Sequence, residues 1–409
     1  MAEQSKPAEG DRSQLEYYAA LLEEAQRIKG ISLWKDAWRR LKKNRPAMVS
    51  MVFLILLSLL ALLTPLLPLQ SPTEQNLDSG QFLGPSLAAA NLPLSKELAE
   101  HDRVVEALVT QRNESMPGPE QQQLDEKIAS LEEDSPLTRY WNNPGPVTRW
   151  MIRLRVTFFG DWCFPSLCGT DNLGRDVLSR LFWGARVSLV VGIVATLVSL
   201  LIGVSYGATA GYLGGRVDAI MMRIVDVLYG LPYILLVVLL DLALKPWVTQ
   251  RLESLPAVNQ NAVTALADVI TLLLAIGGLS WLTMARVIRG QVLSLRTRPF
   301  IEAARAAGAR PIRIFFHHLL PNLIAPIIVY ATLTVPVAIL QESFLSFLGI
   351  GVQLPLPSWG NLASEGMAQI HAIGQRWWLL LWPCLLLGIT LMALNFLGES
   401  LRQSHQRTT

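Results

Sequence analysis

The run from Ala47 to Leu69 constrains this chain most, because it contains no charged residue. A helix needs roughly 20 apolar residues to cross the hydrocarbon core of a bilayer. Basic residues crowd just ahead of it, at Lys35, Arg39, Arg40, Lys42, Lys43 and Arg45. A cleaved signal peptide fits poorly, since that basic flank lies far from the first residue and no small-residue cleavage pattern follows. Five more apolar runs occur: Val187 to Tyr212, Ala219 to Leu244, Val269 to Ala285, Leu323 to Leu340 and Trp377 to Leu397. The run at Val269 is short, so its helix is expected to begin earlier, near Ala262. Only 16% of residues are charged, against about 25% in soluble domains. The fold class expected is therefore all-α and polytopic, with six transmembrane helices. A net charge of +3 gives no reason to invoke nucleic acid.

The boundaries that follow are an N-terminal extension over 1–45, a first span over 46–69 and an insertion over 70–186. A five-helix core occupies 187–397 and a tail 398–409. Orientation follows from Lys and Arg in short connections. The connection 286–322 holds Arg286, Arg289, Arg296, Arg298, Arg305, Arg310 and Arg313 against one acid, Glu302. It is expected on the cytoplasmic side, with both termini. The insertion is then exterior. It carries several arginines, but long loops cross largely regardless of charge. Ser13 to Gly30 has helical spacing. So has Leu94 to Ser135, interrupted at Met116-Pro117-Gly118-Pro119, which predicts two short exterior helices joined by a turn.

Within the basic connection, Glu302 to Ala307 is strong helix sequence. Gly308 is suited to end it and Pro311 to begin another. Two short helices rich in small residues make a knob that fits a groove on another protein.

Other patterns carry less. Gly203-Val204-Ser205-Tyr206-Gly207 matches the hydrolase nucleophile elbow, which needs a strand-turn-helix and a histidine nearby; here it lies in an uncharged helix. Gly203, Gly207 and Gly211 instead give one smooth face for close helix contact. No Gly-Lys pair exists, so the chain has no phosphate-binding loop. Neither enzyme activity nor a cofactor is expected. Adjacent His317 and His318 point about 100° apart on a helix and do not suggest a metal site. Arg223 and Asp226 are spaced for a local pair, and Asp241 with Lys245 for another. Cys163 and Cys168, both in the exterior insertion, are expected to form a disulfide, since oxidation is permitted there.

Four ordered motifs now carry a resemblance. Glu302-Ala303-Ala304, Gly308 and Leu320-Pro321-Asn322 resemble the cytoplasmic signature of ABC-importer permeases. Gly169-Thr170-Asp171-Asn172-Leu173-Gly174-Arg175-Asp176-Val177 is similar to a segment of the second permease subunit of oligopeptide and dipeptide importers. Leu345-Ser346-Phe347-Leu348-Gly349 and Ser358-Trp359-Gly360 follow in the same order. The tail, Gly398-Glu399-Ser400-Leu401-Arg402-Gln403, lacks the later acids usual in that family, and the insertion is longer than usual. The resemblance implies a type I importer permease fold in the inner membrane. It also implies a homologous permease as heterodimer partner, two cytoplasmic ABC ATPases and an exterior solute-binding protein. Glu302, Ala303, Ala304, Gly308, Ala309 and Pro311 would couple to the ATPase. Gly169, Thr170, Asp171, Gly174, Arg175 and Asp176 form the exterior family motif. Alternatives are a nickel-chelate permease, a secondary transporter, which would predict inverted repeats, or a membrane scaffold.

Overall fold

A computed structural model describes residues 39, 41–78, 80–88, 90–114, 118–141, 144–254, 260–353, 356–370 and 376–406. The helix expected over Ser13 to Gly30 lies outside them. Helix α1 (Arg45–Leu62) opens on the Asn44 cap and ends at a 3₁₀ turn, Thr64–Leu66. The insertion follows, with β1 (Ala90–Asn91), α2 (Leu94–Glu114), α3 (Pro119–Glu133), α4 (Pro136–Trp141), α5 (Pro146–Phe159) and β2 (Trp162–Cys163). The strands pair antiparallel, with Ala90 opposite Cys163. Helices α2 and α3 form the expected hairpin, tied by Arg112 to Asp125 at 2.6 Å and by His101 to the Leu131 carbonyl at 3.0 Å.

The core comprises α6 (Val177–Leu213), α7 (Gly215–Tyr229), α8 (Tyr233–Glu253), α9 (Gln260–Leu295), α10 (Pro299–Ala306), α11 (Pro311–Ile314), α12 (Leu320–Phe347), α13 (Trp359–Met367) and α14 (Trp378–Gln406). Among the described residues, six helical stretches are long and apolar enough to cross a membrane. They are α1, α6, α8, residues 266–295 of α9, the rod from α11 through α12, and residues 378–403 of α14. A bilayer offers no water to satisfy backbone groups, so continuous helices are the form such runs must take.

The third apolar run departs from its reading as a single span. It divides at Gly230-Leu231-Pro232 into α7 and α8, and only α8 has the length and composition to cross. Pro232 has no N–H to continue the α7 ladder and starts α8 instead. Asp226 consequently pairs across to Arg286 of α9 at 2.9 Å rather than with Arg223. Lys245 likewise pairs with Asp268 of α9 at 2.5 Å, while Asp241 is buried.

Helices α6 and α9 pack most extensively, and α12 and α14 close the bundle around them. In lipid the helices gain little from hydrophobic burial, so close van der Waals contact must hold them. A Cβ on Gly203, Gly207 or Gly211 would lie 2.6, 2.3 or 2.9 Å from atoms of α9. The outer face of α1, with Val52, Ile55, Leu59 and Leu62 exposed, is apolar where lipid would cover it.

Candidate functional site

The basic connection folds as the two short helices α10 and α11. Arg298 and Arg310, each preceding a proline, are extended with ψ of 144° and 145°, as proline requires of its predecessor. Helix α10 ends in a Schellman motif: Gly308 N–H donates to the Arg305 carbonyl at 2.9 Å, and Ala309 N–H to that of Ala304 at 3.0 Å. Gly308 has φ +77° with open space around it. A side chain there would meet backbone strain rather than a clash.

Ile301 anchors the knob. It is fully buried against Ile288 and Val292 of α9, Ile314 of α11, Leu319 and Leu323. Ala304 and Ala309 pack partly on the same cluster. Glu302, Ala303, Gly308 and Pro311 are exposed. Glu302 occupies the first turn of α10 and Arg305 the last, complementing the helix dipole. Three apolar side chains escaped the sequence reading: Phe300, Ile312 and Phe316 are exposed at 43%, 73% and 56%. Ile312 and Phe316, with Arg310, Arg313 and His317, line an open depression of about 570 Å³. The knob therefore has the apolar anchors and basic rim of a protein interface.

The knob is fastened to the spans behind it. Tyr212 of α6 donates its hydroxyl to the Pro311 carbonyl at 3.2 Å. Arg289 of α9 makes two hydrogen bonds to Asp218 of α7, at 2.5 and 2.6 Å, and these hold the Asp218 carboxyl below the usual carboxylate range. Helix α11 runs through one π-helical stretch, Phe315–Leu319, straight into α12. Such π-bulges often occur at functional sites. From Pro311 to Glu342 this rod is about 46 Å long at 1.5 Å per residue.

At its far end Glu342 is fully buried. Its carboxylate accepts hydrogen bonds from Ser188 of α6 and Ser346, each at 2.9 Å, and from Ser343 at 3.3 Å. Ser188 Oγ also accepts the Trp359 N–H of α13 at 3.3 Å. One carboxylate thus joins the rod, α6 and α13. The signal for it was available, because an acid beside an apolar run is functional by default.

The motif from Gly169 to Asp176 is a closed knot. Asp171 accepts Arg175 Nε at 2.7 Å and Arg180 Nη1 at 2.6 Å. Glu365 of α13 accepts both Arg180 Nη groups, at 2.6 and 2.8 Å, and Arg175 Nη2 at 3.4 Å. Burial, then the neighbouring Arg180, pulls the Arg175 guanidinium below its usual value. Asp176 caps α6 through the Ser179 N–H at 2.7 Å. Thr170 Oγ1 donates to the Gly80 carbonyl at 2.6 Å. Gly169 and Gly174 both have positive φ, and a Cβ on Gly174 would lie 2.2 Å from the Asn76 carbonyl oxygen.

The expected disulfide is absent. Cys163 and Cys168 are both free and buried. Strand β2 turns Cys163 into the core of the insertion, beside Leu94 and Ile152, where its sulfur accepts Arg155 Nη2 at 2.9 Å. Cys168 packs instead with Leu57, Leu181 and Trp359 of the membrane core.

Between α8, α9 and α12 lies a groove of about 510 Å³. Its polar lining residues carry no formal charge: Tyr229, Tyr233, Ser280, Thr283, Tyr330, Thr334 and Gln341. The Tyr233 hydroxyl donates to Gln341 Oε1 at 2.8 Å.

Comparison with known proteins matches two stretches. Residues 199–408 match the family described as binding-protein-dependent transport system inner membrane component. Residues 32–85 match the N-terminal TM domain of oligopeptide transport permease C. The chain is 45% identical over 236 residues to the dipeptide transport system permease protein DppC of Bacillus subtilis, covering 58% of this chain and 67% of that one. It is 41% identical to the oligopeptide transport system permease protein OppC of Haemophilus influenzae, covering 58% and 68%. The di/tripeptide transport system permease protein DppC of Pseudomonas aeruginosa is 32% identical over 306 residues, covering 67% and 93%. Among solved structures, a chain of the MetNI methionine ABC transporter in inward facing conformations aligns at TM-score 0.42 and 20% identity, covering 56% and 97%.

Proposed function

The chain belongs to the family of binding-protein-dependent transport system inner membrane components, and on that premise we propose that it is one pore-forming half of an ATP-driven peptide importer. The observation that carries this reading is the α10–α11 knob, exposed, basic and apolar at its tip, at one end of a continuous rod. A knob of this kind fits a cleft on an ATPase that sits beneath the membrane.

The mechanism follows from the connections. Closure of two ATPases on ATP moves α10 and α11, and α11 is the first turn of the α11–α12 rod. Glu342 passes displacement of the rod to α6 and α13 through Ser188. Helix α13 is tied to the exterior knot by Glu365. The two ends of the protein are thus biased together as a two-state element. The chain supplies no phosphate-binding loop of its own, so hydrolysis belongs to the partner subunits. A homologous permease completes the pore, and an exterior binding protein delivers the solute.

The groove between α8, α9 and α12 is our candidate for this subunit's share of the path. Tyrosine, serine and threonine hydroxyls and the Gln341 amide, none with fixed charge, suit a peptide backbone while discriminating little among side chains. With the basic connection facing the cytoplasm, both termini lie on that side.

Co-purification tests the assignment. The protein should carry an ABC ATPase and a second permease through purification, and the complex in liposomes should take up peptides only with ATP and a binding protein. Uptake driven by an ion gradient without ATP contradicts it.

A further inference from the structure

Helix α5 of the insertion has three faces of different character. Val147, Trp150, Leu154 and Phe158 follow the spacing that keeps side chains on one helical stripe. Val147, Trp150 and Phe158 are 65%, 62% and 74% exposed. The opposite face is built into the insertion: Ile152 is fully buried, and Arg155 lies under it at 1% exposure, over the Trp141 ring. Arg153 and Thr157 occupy a third, polar and exposed, arc.

An apolar stripe of this kind on a soluble surface needs a cover, and its position says which. Helix α5 packs on the turn Thr64–Leu66, which directly follows the membrane helix α1. The segment after α5 is fastened at the same level. Phe164 N–H donates to the Pro68 carbonyl at 2.7 Å, and Gln70 Nε2 donates to the Phe164 carbonyl at 3.2 Å. Around it, Phe159, Trp162 and Phe164 form a ring cluster with centroids 6.4 and 5.2 Å apart, and Trp162 is 44% exposed. Tryptophan and other aromatic rings favour the level where headgroups meet acyl chains. Leu59 and Leu62, exposed on α1, bring its lipid-facing surface up to the same turn.

We propose that α5 is an interfacial helix, lying in the boundary of the bilayer with Val147, Trp150, Leu154 and Phe158 inserted among the lipid chains. Helices of this type bury one apolar face about 5–10 Å into the boundary while polar residues stay in water. Arg153 pairs with Asp102 of α2 at 3.0 Å, and Ile152 shares a core with Leu94 and Leu98. Lipid anchoring of α5 therefore fixes the height of the α2–α3 hairpin above the membrane. The inference rests on α1 crossing the bilayer and is independent of what is transported.

The photo-crosslinking residue p-benzoylphenylalanine, placed at Trp150 or Phe158 of the full chain in native membranes, tests it directly. Mass spectrometry should find phospholipid adducts at both positions and none at Glu126 of α3. Adducts at both positions to protein alone, or none to lipid, overturn the proposal. A conservative variant guards against misfolding. In lipid nanodiscs, Trp150→Phe should remove a fluorescence component that is quenched by phospholipids brominated near the headgroup. If the component removed is insensitive to brominated lipid, α5 does not lie in the bilayer.

Discussion

Glu342 of α12 and Ser188 of α6 share a hydrogen bond of 2.9 Å inside the membrane core, with the carboxylate fully buried. Ser188 in turn receives the Trp359 N–H, so three elements depend on one acid. A buried hydrogen bond contributes about 0.5–1.5 kcal/mol, and an orphaned buried partner costs about 1–3 kcal/mol. Glu342→Ala should therefore lower stability by about 3 kcal/mol and uncouple ATP hydrolysis from uptake. Glu342→Gln, which keeps an acceptor, should lose less of both. Thermal unfolding of the purified complex and the ratio of solute moved to ATP consumed are the readouts.

The knot of Asp171, Arg175, Arg180 and Glu365 gives a second prediction. Arg180 is 2% exposed and serves both acids. Removing one partner of a buried ion pair costs about 3–5 kcal/mol, whereas apolar replacement of the whole set is tolerated. Arg180→Met should destabilise strongly, and adding Glu365→Gln should recover part of that loss. A double-mutant cycle by thermal unfolding measures the coupling, and strict additivity would show that the charges do not act as a unit.

Asp176 sets a pH dependence. Burial first, then the nearby Asp171, raises its carboxyl to about 7, against the Ser179 N–H that lowers it. The folded state therefore holds this proton more tightly than the unfolded chain does. Its contribution to stability is fully present below pH ~4, the unfolded carboxylate value, and falls as pH rises toward 7. Asp176→Asn should flatten the thermal-stability profile between about pH 4 and 7. A profile that keeps its slope in the variant assigns the dependence to other groups.

The cysteines provide a chemical check. Burial pushes the Cys168 thiol up to about 12 and raises Cys163 as well. A buried thiol that stays protonated is a poor nucleophile. Maleimide at neutral pH should label neither in the folded protein, and should label both after unfolding without a reductant. Failure to label them after unfolding would mean they are oxidised.

The spans were legible because runs such as Ala47 to Leu69 admit no other stable form in lipid. The break at Gly230 to Pro232 was only half legible. Ile220, Ile224 and Val227 continue the apolar spacing into the next run, so Asp226 looked intramembrane until its partner on α9 was known. Glu365 carried no local signal, since its partner Arg180 is 185 residues away. The cysteine spacing misled for the same reason: nearness in sequence says nothing about which of two cores each thiol enters. The end of α10 at Gly308 was readable because capping chemistry is local, whereas the exposure of Ile312 and Phe316 depends on how α11 meets α12.

The proposed coupling role of the α10–α11 knob is tested most directly at Gly308. Its φ of +77° with open space around it means that Gly308→Val strains the Schellman turn without a steric clash. Glu302→Lys puts the wrong charge on the first turn of α10. The measurement is ATP hydrolysis by the reconstituted complex, with and without solute-loaded binding protein, beside co-purification of the ATPase. In Gly308→Val we expect normal membrane insertion with loss of ATPase association or of solute-stimulated hydrolysis, and a weaker version of the same defect in Glu302→Lys. Wild-type association, stimulation and uptake in both variants would make α10 and α11 an ordinary connection and contradict the account.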